Sequence, residues 1–184
     1  MSQSQSALLM IDVINHLEFD GNEGLLRAVP NLIKNLKPLS EFFRLKNIPV
    51  IYLNDNFNNW HSDFAELVEY CTSKNVNGKE LAENLRPTKD DYFILKPMHS
   101  GFYGTPLHIL LQRLAIKNLF LTGIAADICV QYTANDAYMR NYKVNIVSDC
   151  VIANTLEDTK YALDKMKRLL KAPILTADEV KSVV

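Results

Sequence analysis

Short apolar runs recur at residues 7–12, 50–53, 92–95, 118–122, 144–147 and 174–175. Each is rich in branched or aromatic side chains and nearly continuous rather than alternating, the pattern of a strand in a parallel sheet covered on both faces. Between these runs the apolar period changes. Leu32, Leu36, Leu39, Phe42 and Phe43 fall at helical spacing within 25–46. The same reading predicts helices over 106–114, 127–140 and 155–170, and a short one after Thr176. Strand and helix alternate, which predicts an α/β fold: a doubly wound three-layer α/β/α sandwich around a mostly parallel sheet of about six strands, with right-handed crossovers. Functional groups of such folds collect beyond the carboxyl ends of the strands. Residues 56–86 are less periodic and contain Trp60 and Asn77-Gly78, so they predict a loop with short helices over the sheet edge, placed to act as a lid. No repeat, low-complexity tract or Pro/Gly/Ser-rich linker divides the chain, which predicts one domain over 1–184.

Composition narrows the function classes. The chain has 184 residues, 48% of them hydrophobic and 22% charged, which excludes disorder. With 20 basic against 21 acidic side chains, it lacks the basic stripe that releases counterions from phosphates, so nucleic acid is not the expected partner. Apolar stretches such as 7–11 and 119–121 fall far short of the roughly 20 residues that span a bilayer, and no membrane partner is expected. Residues 1–6 are polar, without a cationic region or apolar core, and do not read as a secretory signal. Three cysteines, with no C-x-x-C, predict free thiols in a reducing, cytoplasmic setting.

Three side chains at strand ends could carry chemistry. Asp12 closes the first apolar run, where it emerges at a strand's carboxyl end or simply caps the next segment. Lys96 ends the third run before Pro97; taken alone, a solvated lysine explains it. Cys129 follows the fourth run. If Asp127 is a helix N-cap, Cys129 lies in the first helical turn, where amides and dipole favour an anion and lower a thiol's pKa. The alternative is a buried cysteine used as a small hydrophobe, the reading given to Cys71 and Cys150. Together the three are more specific: a carboxylate can take a thiol's proton while an ammonium steadies the resulting charge.

These motifs resemble the isochorismatase-like cysteine hydrolase family. Ala7-Leu8-Leu9-Met10-Ile11-Asp12 with Asn15 looks like its first motif. Lys96, Ser100, Gly101, Phe102, Thr105 and Leu107 look like its lysine motif, and residues 123–130 with Thr133, Ala134, Asp136, Ala137 and Asp149 resemble its cysteine block. The resemblance covers nearly the whole chain. It implies Asp12 as general base, Lys96 as electrostatic partner and Cys129 as nucleophile. It also implies a cis peptide between Ile124 and Ala125, with the Ala125 and Cys129 amides forming an oxyanion hole. Relatives commonly form dimers or tetramers, so a homo-oligomer is expected.

The chain also departs from the family. Nicotinamidases of this family carry an Asp-x-His metal motif after the second strand, whereas here Asp55-Asn56-Phe57 ends in a side chain that cannot ligate a metal. His61 stands alone in a loop. No metal and no organic cofactor is expected. In the first motif, Ile14 stands where Gln is frequent and His16 where Asp is frequent. Trp60, His61, His99, Phe102 and Tyr103, in the segments after the second and third strands, are the side chains expected around a small-molecule substrate. Retention of Cys129 with Lys96 points to hydrolysis of a small carboxamide or ureide-like C–N bond through a thioester. The alternatives are isochorismatase-type cleavage of a vinyl ether, which needs no thiol, and a catalytically silent binding or oligomerisation module on the same fold.

Overall fold

A computed structural model of the protein describes residues 5–61 and 63–184. Residues 1–4 of the polar start lie outside the described residues, as does Ser62. Six parallel strands form one sheet in the order β3-β2-β1-β4-β5-β6: β1 (Ser6–Ile11), β2 (Val50–Asp55), β3 (Tyr92–Lys96), β4 (Asn118–Ile124), β5 (Lys143–Ile152) and β6 (Ile174–Leu175). The α/β layering predicted from the alternating pattern is what forms. Helices α1 (Glu23–Leu45), α2 (Phe64–Ser73), α3 (Lys79–Asn84) and α7 (Ala177–Val183) cover one face; α4 (Leu107–Arg113), α5 (Gln131–Met139) and α6 (Leu156–Leu170) cover the other.

The apolar runs are continuous because both faces are buried. In β1, Leu8 and Met10 join the first core while Ala7, Leu9 and Ile11 join the second, all of them fully inaccessible. Burying one such side chain stabilises the fold by about 1.5–3 kcal/mol before entropy is counted. Helix α1 lays Leu25, Val29, Leu32, Leu36, Leu39 and Phe43 on the sheet. Its internal Pro30 and Pro38 sit on the exposed side, where the carbonyls they leave unbonded meet water.

Two expectations change. The segment 56–86 is not a lid, because Phe64, Val68 and Cys71 of α2 and Leu81 of α3 are core residues, continuous with the α1 layer. The helix expected over 127–140 forms, but it opens with a π-helical turn, Ala126–Val130, that runs directly into α5 through helical backbone at Val130 and Gln131. Asp127 does not cap it, since the turn begins after Ala125 and has no side-chain cap.

The chain returns from helix to strand through a repeated hydrogen-bonded turn. Asn47, Ala115 and Asn141 all lie in the left-handed region, at φ 55°, 54° and 63°. After α1, Ile48 N–H donates to Phe43 O and Asn47 N–H to Arg44 O; the same pair of bonds follows α4 at Ile116 and Ala115, and α5 at Tyr142 and Asn141. This is the Schellman motif. Sequence order reverses between β1 and β4, which opens a crevice at their carboxyl ends.

Candidate active site

Three strand ends build the floor of that crevice. Asp12 follows β1 in a left-handed conformation, φ 51°, which aspartate tolerates better than most side chains. Its N–H donates to Leu53 O at 2.8 Å, and its Oδ1 accepts from Asp55 N–H at 2.7 Å. Lys96, the last residue of β3, is fully buried and reaches across the end of β2. Its Nζ lies 2.9 Å from Asp12 Oδ2, 3.5 Å from Asp55 Oδ2 and 3.5 Å from Cys129 Sγ. Cys129 stands in the π-helical turn after β4. A Cβ at Gly123, φ 112°, would lie 2.0 Å from Ile11 O, so glycine permits the close approach of β4 to β1 just before both site segments. The Ile124–Ala125 peptide is cis.

The loop after β3 is fastened to α5. Gly101 N–H donates to Thr133 Oγ1 at 2.9 Å, and Ser100 Oγ donates to Asp136 Oδ2 at 2.5 Å. These bonds set His99 over the thiol, with Nδ1 3.9 Å from Cys129 Sγ.

Burial dominates the electrostatics. It pushes the Asp12 carboxyl above its ordinary range, with the Lys96 charge working the other way. Burial also works against the Lys96 ammonium, but Asp12, the thiol and Asp55 outweigh it and hold Lys96 above the usual lysine value. The Cys129 thiol is raised as well, by burial first and by Asp12 second, against the pull of Lys96. The depressed thiol expected from its place at a helix start is therefore not what this site produces: desolvation and a neighbouring carboxylate outweigh the turn's amides. Cys71, remote from this floor, is pushed up to about 11 by burial alone.

Above the floor lies a cleft of about 650 Å³, bordered by Asp12, Asp55, Ile124, Ala125, Asp127, Ile128 and Cys129 and by His16, Phe19, Phe57 and His99. A side pocket of about 310 Å³ shares His16, Asp55 and Phe57 with it. Of the five side chains expected around a substrate, His99 lines the cleft and four do not. Trp60 and Tyr103 point to solvent, 72% and 63% exposed, and His61 is exposed in its loop. Phe102 turns inward, its ring 5.9 Å from that of Tyr142 and 5.0 Å from the Arg140 guanidinium.

Sequence reasoning passed over His16 and Phe57 as lining residues. Both were visible as departures from the family pattern, and their rings pack at 4.6 Å. His16 accepts the Glu18 N–H at Nδ1, and burial lowers its pKa, which favours the neutral ring. A metal does not fit here. Asp55 is engaged by Lys96, Phe57 brings no donor, and the described residues hold no cluster of three His, Cys, Asp or Glu suited to an ion. No helix among the described residues is long and apolar enough to cross a membrane.

Residues 6–179 match the family model of the isochorismatase domain. An uncharacterized isochorismatase family protein of Bacillus subtilis (strain 168), YaaI, is 40% identical over 98% of both chains. The ureidoacrylate amidohydrolase RutB of Yersinia enterocolitica is 28% identical, over 79% of this chain and 74% of that protein. Among solved structures, the N-carbamoylsarcosine amidase of Thermoplasma acidophilum superposes with a TM-score of 0.74 at 30% identity, covering 96% of this chain and 98% of that one.

Proposed function

The chain belongs to the isochorismatase family of hydrolases, and from that premise we propose that it is a cysteine-dependent amidohydrolase, working as one domain on the C–N bond of a small carboxamide or ureide. The observation that carries this reading is the position of Lys96 Nζ, 2.9 Å from a buried carboxylate and 3.5 Å from the sulfur at the base of the cleft. The named activities of the Yersinia and Thermoplasma relatives support it.

Asp12 takes the thiol proton as Cys129 Sγ attacks the carbonyl carbon. Because the resting thiol is held neutral, base and nucleophile act in one step, and Lys96 steadies the negative charge as it moves from carboxylate to sulfur to oxygen. The oxyanion rests on the Ala125 and Cys129 amides. Collapse breaks the C–N bond, Asp12 returns its proton to the departing amine or ammonia, and a thioester remains. Water then loses a proton to Asp12, adds to the thioester carbon and releases the acid with the thiol restored. The reaction needs no organic cofactor.

Rapid quench of a single turnover followed by intact-mass measurement is the test: wild type should carry the mass of the acyl group, and Cys129→Ala should carry none and turn over at least 10³-fold more slowly, on the order expected for loss of a covalent nucleophile. Undiminished turnover by Cys129→Ala would overturn the thioester route in favour of thiol-independent cleavage. The reading extends to a cytoplasmic homo-oligomer, supported by exposed Trp60, Met98, Tyr103 and Ile109. Light scattering should return a multiple of 21.0 kDa, and a mass of one chain would remove it.

A further inference from the structure

Lys96 serves three acceptors at once. Its Nζ lies 2.9 Å from Asp12 Oδ2, 3.5 Å from Asp55 Oδ2 and 3.5 Å from Cys129 Sγ. When Asp12 has taken the thiol proton, this one ammonium still faces the Asp55 carboxylate and a sulfur carrying negative charge. A desolvated anion is held by the hydrogen bonds that reach it. Among the described residues, one other side-chain nitrogen lies within hydrogen-bonding reach of the sulfur: His99 Nδ1, at 3.9 Å.

The direction of that contact follows from counting protons. A thiol has one, and Asp12 is the acceptor placed to hold it. Lys96 can only donate. An imidazole nitrogen facing the remaining lone pairs of the sulfur must therefore carry its hydrogen, which the Nδ1–H tautomer and the imidazolium both supply. The ring's placement is built by the chain around it. The loop after β3 is held to α5 by Gly101 N–H on Thr133 Oγ1 and by Ser100 Oγ on Asp136 Oδ2, and Asp136 is itself held by Arg140 Nη1 at 2.6 Å. Ser100 Oγ also accepts from Phe102 N–H at 3.1 Å. Tyr132, one turn beyond Cys129, packs its ring 5.5 Å from that of His99. The helical stretch that carries the thiol thus also carries the surfaces on which the imidazole rests.

We infer that His99 is a further catalytic residue, whose Nδ1–H donates to the Cys129 sulfur and shares with Lys96 the negative charge that develops there. The catalytic meaning of this bond rests on the amidohydrolase reading; the bond itself is a property of the sulfur. The thiol proton passes to Asp12 and on to the departing amine, while Nδ1 keeps its hydrogen throughout. Lys96 holds the sulfur from the buried floor, and His99 holds it from the side of the cleft that it lines.

Two substitutions separate the bond from the shape. His99→Phe keeps an aromatic ring beside Tyr132 and removes the donor; His99→Asn is smaller and keeps an N–H near the position of Nδ1. Alkylation by iodoacetamide at pH 8, with Cys129 followed by peptide mapping, should be at least about 3-fold slower in His99→Phe than in wild type and no more than about 2-fold slower in His99→Asn, with unchanged melting temperatures. Equal rates in wild type and His99→Phe would overturn the inference. So would a comparable loss in both variants, which would make the imidazole a proton acceptor or a packing group instead of a donor, and so would a gain in both, which would make it a shield over the sulfur. Iodoacetamide asks nothing of an amide substrate, so the two readings fail separately. The expected order of rates with no acyl mass on wild type would sink the amidohydrolase reading and leave the bond standing; an acyl mass on wild type with undiminished alkylation of His99→Phe would sink the role of His99 alone.

Discussion

Asp12 acts on the Cys129 thiol in a direction that runs against its proposed role as the base. Its negative charge raises the thiol's pKa, so in the proposed mechanism the group that takes the thiol proton during attack also keeps the thiol protonated at rest. Asp12→Asn should therefore abolish amide turnover and yet speed alkylation of Cys129 by iodoacetamide. The sign follows from the charges: with the carboxylate gone, Lys96 acts on the sulfur unopposed, the thiolate fraction at a given pH rises, and the alkylation profile shifts to lower pH. Rates measured from pH 6 to 10 with peptide mapping, on wild type and variant, check this; an unchanged or alkaline-shifted profile would show that Asp12 does not face the sulfur electrostatically. Asp12, Lys96 and Cys129 were legible from sequence because each terminates or follows an apolar run. The thiol's pKa was not, because burial is set by the cleft's depth and leaves no mark on residue spacing.

At the scale of elements, the strands were legible because double burial leaves near-continuous apolar runs, and the helices because a single face is buried. The π-helical opening of the helix that leads into α5 was hidden, since 126–139 shows one uniform helical composition. Trp60, His61, Phe102 and Tyr103 were misplaced for a related reason: following a strand places a residue near the cleft but does not say which way its side chain turns. The helix-to-strand returns were equally hidden, because none of Asn47, Ala115 and Asn141 is the glycine that usually marks such a turn. Ala115 is the least suited of the three, being exposed, in the left-handed region and without a side-chain hydrogen bond to offset the clash. Ala115→Gly should raise stability by about 0.5–1 kcal/mol, read as a higher urea midpoint at unchanged slope. A lower midpoint would mean that the gain in unfolded-chain entropy outweighs the relieved contact.

For the whole molecule, the strand order places the candidate site at one pole of the sheet and the hydrogen-bonded return turns at the other. The family pattern was readable over most of the length, but the neutral, aromatic side of the cleft emerged only when His16 and Phe57, separate departures in the sequence, met in space. Lys96 shows what this geometry demands of folding. Its ammonium ties the ends of β1 and β2 to that of β3, and it can do so only when all three strands lie side by side. During synthesis Asp12 leaves the ribosome first and must wait for β3 before Lys96 reaches it, and Cys129 emerges later still. A chain without β3 thus cannot assemble the Asp12–Lys96–Cys129 cluster, and the proposed activity would report completed long-range pairing rather than the mere presence of a cysteine.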